Sequence, residues 1–410
     1  MTMRDAVRYC LYATAFSMPL YPAAGDICAI AALVLSIADR CRTKRCIGVP
    51  DVSQAAFVAF MIWSFLSTFR APVFFSSAYS WLYHVGLYGA VFFVGRSYID
   101  DGVHRTRLIR VALLSAAVVM AIGTYRYMMM TGMQMHEWVD AERFPKLYRR
   151  MFSTLQNPNL LGAYLLIIFA PIGTDIVCRL RHLGPGKVGE RIAMTAAEAK
   201  RLRWDIAFAV SIVLGILLTY SRGIWIALAA TVAYWGLTTD RRWLLTLLAI
   251  PAVFLFYDGE IAYRLRALFG DNDTSAALRI AIWDSTLYMI EEDPLFGIGW
   301  DSFYHVYPAY NYFIRTEPVI MYHAHNMFLN VAAETGIPGL LAYMTAMYSL
   351  PFVTDGRERR IMLGALSTGM TVAGLTDHVL FSHQVSVMFW LMTAGLSGRS
   401  RHDGDELPKV

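Results

Sequence analysis

The chain is predicted to be an all-α integral membrane protein with about twelve transmembrane helices. Three observations carry this prediction. Hydrophobic residues make up 57% of the 410 positions and charged residues only 16%. Apolar runs of spanning length recur from one end to the other, and basic residues collect in alternate gaps between them. A soluble domain carries about 25% charged residues, and no water-surrounded core takes up such an apolar excess. Soluble enzymes, disordered chains and nucleic-acid binders are therefore excluded, and the net charge of +5 does not restore the last of these, because the arginines are dealt out between apolar runs.

Arg4 and Arg8 precede a first run at 9 to 24 that has the look of a signal peptide, but Tyr21 to Asp26 leads straight into a second run. The first is read as an uncleaved span. Crossing ~30 Å of hydrocarbon takes about 20 apolar residues, and further candidate spans follow at 27 to 38, 52 to 69, 78 to 95, 111 to 128, 158 to 178, 205 to 221, 223 to 237, 243 to 257, 326 to 351, 361 to 380 and 384 to 398. The second, eighth and ninth are short. With the N-terminus inside, 25 of the 36 basic residues fall on the inner side, as the positive-inside rule requires, with 179 to 203 the richest segment. Both termini are then cytoplasmic. The five cysteines, at 10, 28, 41, 46 and 178, are an odd set in apolar runs or beside basic loops and imply no disulfide framework.

Residues 1–410 read as a single polytopic domain with two long external segments, 129–157 and 258–325. Connections of that length are usually functional. Within the second, Ala276, Ile280, Trp283, Leu287 and Ile290 recur at helical spacing, with Asp273 to Ser275 as an N-cap and Pro294 to Gly299 as a stop. This predicts an amphipathic helix on the outer membrane interface, packed over the bundle.

Candidate functional residues gather in and around these segments. Arg279 stands near the start of the amphipathic helix with no carboxylate three or four residues away, so its charge adds to the positive helix end and makes an anion site. Arg222, in Thr219-Tyr220-Ser221-Arg222-Gly223, lies between two spans at their outer ends, where topology argues against a cation. Arg264 and Arg266 extend the outer cationic set, as do Arg143, Lys146, Arg149 and Arg150. A guanidinium fork suits phosphate oxygens, so the expected ligand is a phosphate or diphosphate. His323 and His325 end the long loop. At i and i+2 they do not make a helical metal pair, and His325 reads either as an interfacial polar residue or as a general base, imidazole titrating near ~6.5. Asp271-Asn272-Asp273 reads as a capping turn, and Asn157-Pro158-Asn159 as the cap of span six. Asp377-His378 is an ionisable pair near the outer end of span eleven. No metal or cofactor is expected.

Together these residues resemble the O-antigen ligase family. His325-Asn326, nine residues and then Gly336-Ile337-Pro338-Gly339 fit its His-Asn-x9-Gly-x-x-Gly pattern; Thr219 to Gly223 is similar to its T-x-S-R-G stretch; Arg279 with Trp283, Pro294 to Gly299, and Asn157 to Asn159 match its remaining motifs. The resemblance implies a GT-C-like glycosyltransferase in the bacterial inner membrane with a periplasmic active site. It implies an inverting, metal-independent transfer of an O-antigen chain from undecaprenyl diphosphate to a sugar of the lipid A core. In that reading His325 is the base, Arg222 and Arg279 hold the diphosphate with Arg264 and Arg266 near them, and Asn326, Gly336, Gly339, Asn157, Asn159, Tyr220, His323 and Asp377 support the site. Three alternatives stay open. An O-antigen polymerase shares the donor but usually lacks the His-x9-Gly spacing. A protein O-oligosaccharide ligase differs in acceptor. A polytopic transporter predicts helix breaks in two repeated halves, which the chain lacks.

Overall fold

The structure, a computed structural model, describes residues 2–44, 49–129, 150–182, 195–247, 274–311 and 321–398. Among them it is all helical. The α-helices are α1 (Met3–Ser17), α2 (Pro22–Thr43), α3 (Val52–Ser67), α4 (Phe74–Trp81), α5 (Leu87–Tyr98), α6 (Gly102–Met129), α7 (Pro158–His182), α8 (Ala196–Leu218), α9 (Arg222–Thr238), α10 (Thr274–Glu292), α11 (Phe303–Tyr310), α12 (Met327–Tyr348), α13 (Arg357–Thr376) and α14 (His383–Ser397). A π-helical turn, Leu82–Gly86, joins α4 to α5.

Among the described residues four segments are long and apolar enough to cross a membrane: Pro22–Thr43, Val52–Arg70, Gly102–Met129 and Pro158–Arg181. They differ in what they face. About a third of each of the first three is buried, whereas 89% of the Pro158–Arg181 window is. A helix apolar all round belongs inside a bundle, and α7 is the hub, with α8, α9, α13 and α14 packed on it. Its Thr174 hydroxyl accepts a 2.9 Å bond from the buried Trp235 indole of α9.

Eleven of the twelve predicted runs coincide with described helices; the ninth falls largely outside the described residues. Three breaks lie where continuous spans were expected, one of them at Gly336 within the 326 to 351 run. The 9 to 24 run is interrupted at Met18–Tyr21, because Pro22 is at N1 of α2 and starts a new helix there. The 361 to 380 run stops at Thr376, so Asp377 caps α13 and is not embedded in a helix.

The helix predicted in the long segment forms as α10, but the expected stripe is not its packing face. Ile280 and Leu287 are exposed, while Ile282, Ser285, Thr286 and Met289 are buried. Ile282 and Met289 join Ile298, Phe303, Tyr307, Met321 and Ala324 in a small second core. Of the predicted stripe, Trp283 and Ile290 are half-buried while Ile280 and Leu287 are exposed, and the Asp273 cap lies outside the described residues.

Candidate active site

That second core fixes the segment 321–326. Ala324 is fully buried in it, the Trp283 indole donates to the Ala324 carbonyl at 3.0 Å, and the Asn330 carboxamide oxygen accepts from the Ala324 N–H at 2.9 Å. Two residues on, Asn326 caps α12, accepting from the N–H groups of Phe328 and Leu329 at 3.0 and 3.2 Å. The chain has one residue in which to turn between these anchors. That residue is His325, held at φ +48, a left-handed conformation that a non-glycine residue keeps only when its surroundings impose it. Its ring is left 34% exposed.

Asp377 meets His325 from the other side. Its N–H donates to Ala373 at 3.2 Å as the last bond of α13. Its Oδ1 lies 3.2 Å from His325 Nδ1 and accepts the His378 N–H at 2.8 Å, and its Oδ2 accepts the Asn159 carboxamide at 2.6 Å. Asn159 in turn accepts from Arg150 Nη2 at 3.0 Å, and Arg150 Nε donates to the Thr219 carbonyl at 2.8 Å. A chain of contacts thus runs from Arg150 through Asn159 and Asp377 to His325, tying together the start of α7, the turn before α9 and the break after α13. Asn157 accepts the Asn159 N–H at 2.8 Å and sets up that turn.

The electrostatics follow. Burial on its own would raise the Asp377 carboxyl, but the hydrogen bond and charge of His325, with His323 and the His378 N–H, hold it well below the usual carboxylate range. A carboxylate facing Nδ1 keeps the proton on that nitrogen and leaves Nε2 with its lone pair. His323 is 4.3 Å from the His325 ring and stacks on His378 at 4.9 Å. Burial, and then the charge of His325, push His323 down to about 4; burial, and then His323, also lower His378. Both are neutral at physiological pH. The nitrogens of His323 and His325 and an oxygen of Asp377 lie within 4.8 Å of one another, a group that could hold a metal ion. No local spacing reveals this cluster, because Asp377 stands 52 residues from His325.

Both arginine motifs arrive at this place by their backbones. Tyr220 turns at φ +52 and Ser221 is the N-cap residue of α9, so Arg222 opens that helix. Gly223 is pressed against the Thr376 side chain, where any Cβ would collide, so the Arg222 turn abuts the residue before Asp377. Arg279, half-buried, stands one turn before Trp283 on α10. It has no ion-pair partner among the described residues. Arg264, Arg266, Arg143, Lys146, Arg149, Asp271 and Asp273 lie outside the described residues.

Gly336 and Gly339 do not touch the histidines. Gly336 breaks α12 at φ +73, and a side chain there would strike the Leu295 carbonyl. The break admits the 293–301 turn: Ile337 N–H donates to Pro294 at 2.8 Å, Ile298 N–H to Ala333 at 2.8 Å, and Gly339 packs by Trp63. Buried Glu334 completes this seat by accepting the N–H groups of Asp301 and Phe303 at 3.0 and 3.3 Å. Sequence reasoning missed Glu334, although an acidic residue in an apolar run was the available signal. It also placed Arg150 only in a general cationic set.

Residues 207–344 match the family model described as O-antigen ligase. The match runs from α8 through the Arg222 turn, Arg279 and His325 into α12, and leaves Asn159, Arg150 and Asp377 outside it. No curated protein matches the chain.

Proposed function

We propose, from the match of residues 207–344 to the O-antigen ligase family model, that the protein is an O-antigen ligase of about twelve spans with a GT-C-like arrangement. It transfers an O-antigen chain from undecaprenyl diphosphate to a sugar of the lipid A core at the periplasmic face of the inner membrane. The observation that carries the reading is the His325–Asp377 pair, 3.2 Å apart, with the His325 ring partly open and the Arg222 turn packed against Thr376 through Gly223.

In this reading the acceptor hydroxyl gives its proton to His325 Nε2. Its oxygen bonds to the anomeric carbon from the face opposite the diphosphate, and the bond from that carbon to the diphosphate oxygen breaks. The configuration inverts, and the lipid diphosphate leaves with the electron pair. Charge develops on that leaving group, where preorganised cations contribute most; Arg222 and Arg279 supply them. Asp377 stabilises the imidazolium that forms and fixes the ring. No metal takes part in these steps.

A deletion strain tests the reading. Loss of a ligase leaves lipid-linked polymer accumulating beside an unsubstituted lipid A core. Single repeats attached to the core would identify a polymerase instead and overturn the assignment.

A further inference from the structure

At the end of the bundle opposite His325, the C-terminal ends of α9 and α12 and the length of α13 from Arg357 to Val372 line an open pocket of about 770 Å³. Along α13 its lining follows the helical period: Arg357 and Arg360 at the mouth, then Gly364, Ser367 and Thr371 inward. A membrane helix has no reason to aim a polar stripe at lipid tails, so the stripe calls for a polar ligand or a polar neighbour. A neighbour answers part of it, since Thr371 Oγ1 lies 2.6 Å from the Tyr348 hydroxyl of α12. Ser367 is not answered. It is 4% exposed, and its hydroxyl has no hydrogen-bond partner in the structure, whereas serines and threonines in these helices usually return theirs to the preceding turn, as Thr371 does at 2.7 Å.

The arginines at that end fall into two groups, some paired with carboxylates and others, such as Arg105 and Arg359, bonded among the described residues only to carbonyls. Arg96 is bound to Asp51 at 2.7 Å, Arg8 to Asp100 at 2.9 Å and Arg179 to Asp175 at 2.6 Å. Arg357 and Arg360 make no ion pair among the described residues. Arg360 Nε donates to the Thr354 carbonyl at 2.8 Å and Arg357 Nη2 to the Thr238 carbonyl at 3.4 Å. The remaining guanidinium donors face the mouth of a cavity whose outer wall is apolar, with Phe352 84% exposed beside them.

We propose that this cavity binds one anionic phospholipid, with its phosphate between Arg357 and Arg360, its glycerol oxygens at the Ser367 and Thr371 hydroxyls and an acyl chain along Phe352. Basic pockets between helices at a membrane surface suit such headgroups, each arginine adding about 1 kcal/mol, or roughly five-fold in affinity. The inference is independent of the chemistry proposed at His325.

Native mass spectrometry of the delipidated full chain in neutral detergent, titrated with phosphatidylglycerol or phosphatidylcholine, tests it. Phosphatidylglycerol is expected to bind at least roughly ten-fold more tightly. Exchanging both arginines, R357Q with R360Q, weakens it roughly thirty-fold and leaves phosphatidylcholine alone. S367A costs a few-fold, and R110Q, at an exposed arginine near the same end on α6, costs less than two-fold. Equal binding by the double variant, or an equal loss in R110Q, overturns the proposal, because attraction to a basic surface would then suffice. Inorganic phosphate that bound as tightly as the lipid would identify a free-anion site and overturn the lipid assignment. Thermal unfolding in detergent checks the fold; should the double variant not fold, the exposed single change R357Q, expected at roughly five-fold, decides the matter.

Discussion

Two sets of carboxylates, at opposite ends of the helical bundle, are used differently. At one end Asp51 caps α3 and meets Arg96 at 2.7 and 3.2 Å, both side chains almost wholly buried, while Asp100 takes Arg4 at 2.7 Å and Arg8 at 2.9 Å. Charge is cancelled directly, and the geometry is that of ordinary helix caps. At the other end Asp377 faces an imidazole and a carboxamide, and the Arg150 cation reaches it only through Asn159. The backbone there turns through left-handed φ at Tyr220 and at His325. Removing one partner of a buried ion pair leaves an uncompensated charge, so the first end is built to hold. The second holds a histidine whose outer nitrogen is still available.

That contrast breaks most visibly at His325. His325→Ala is expected to lower transfer by ~10²- to 10⁴-fold, with binding of the lipid diphosphate donor nearly unchanged, as a donor-binding assay beside the transfer assay would read. Retained transfer with lost donor affinity would make this histidine a diphosphate ligand. Next come the arginines. Arg222→Ala or Arg279→Ala should each cost on the order of 10²- to 10³-fold at normal membrane levels, with lysine restoring only part because a point charge lacks the bidentate fork. Arg96→Ala should do the reverse, lowering the amount of folded protein while the activity per molecule stays close to that of the parent.

Two smaller effects sharpen the comparison. His323, held down at about 4 against an ordinary value near ~6.5, takes up its proton more readily in the unfolded chain. Stability is therefore highest above that ordinary value and falls as pH drops through it toward 4. Thermal unfolding at pH 7 and pH 5 should give that slope, and His323→Asn should flatten it in part, since His378 is shifted the same way. Excess chelator should leave transfer by purified protein unaltered. A loss that magnesium or manganese restored would turn the His323, His325 and Asp377 group into a metal centre.

The helices were legible because an apolar run reports burial whichever neighbour buries it. The same fact hid the orientation of α10: lipid and protein interior are equally apolar, so the stripe through Ile280 and Leu287 could not say which of them it faced. Breaks at Met18–Tyr21 and after Thr376 were hidden by the apolar residues around them. At the site, His325, Arg222 and Arg279 could be named because each stands in a local pattern. Asp377 could only be suspected. Its contact with His325 closes a loop of 52 residues, and nothing local in the sequence encodes the Asn159 and Arg150 contacts that complete it.

The central claim is that Asp377 works through His325, and a double-mutant cycle on transfer rate tests it most directly. Asp377→Asn alone should cost ~10²-fold or more, since the wrong tautomer is then favoured. Introduced into His325→Ala, it should cost less than about two-fold further, because the ring it orients is gone. If instead the two losses multiply in full, Asp377 acts on substrate or fold independently of His325, and the base–carboxylate pair proposed here is contradicted.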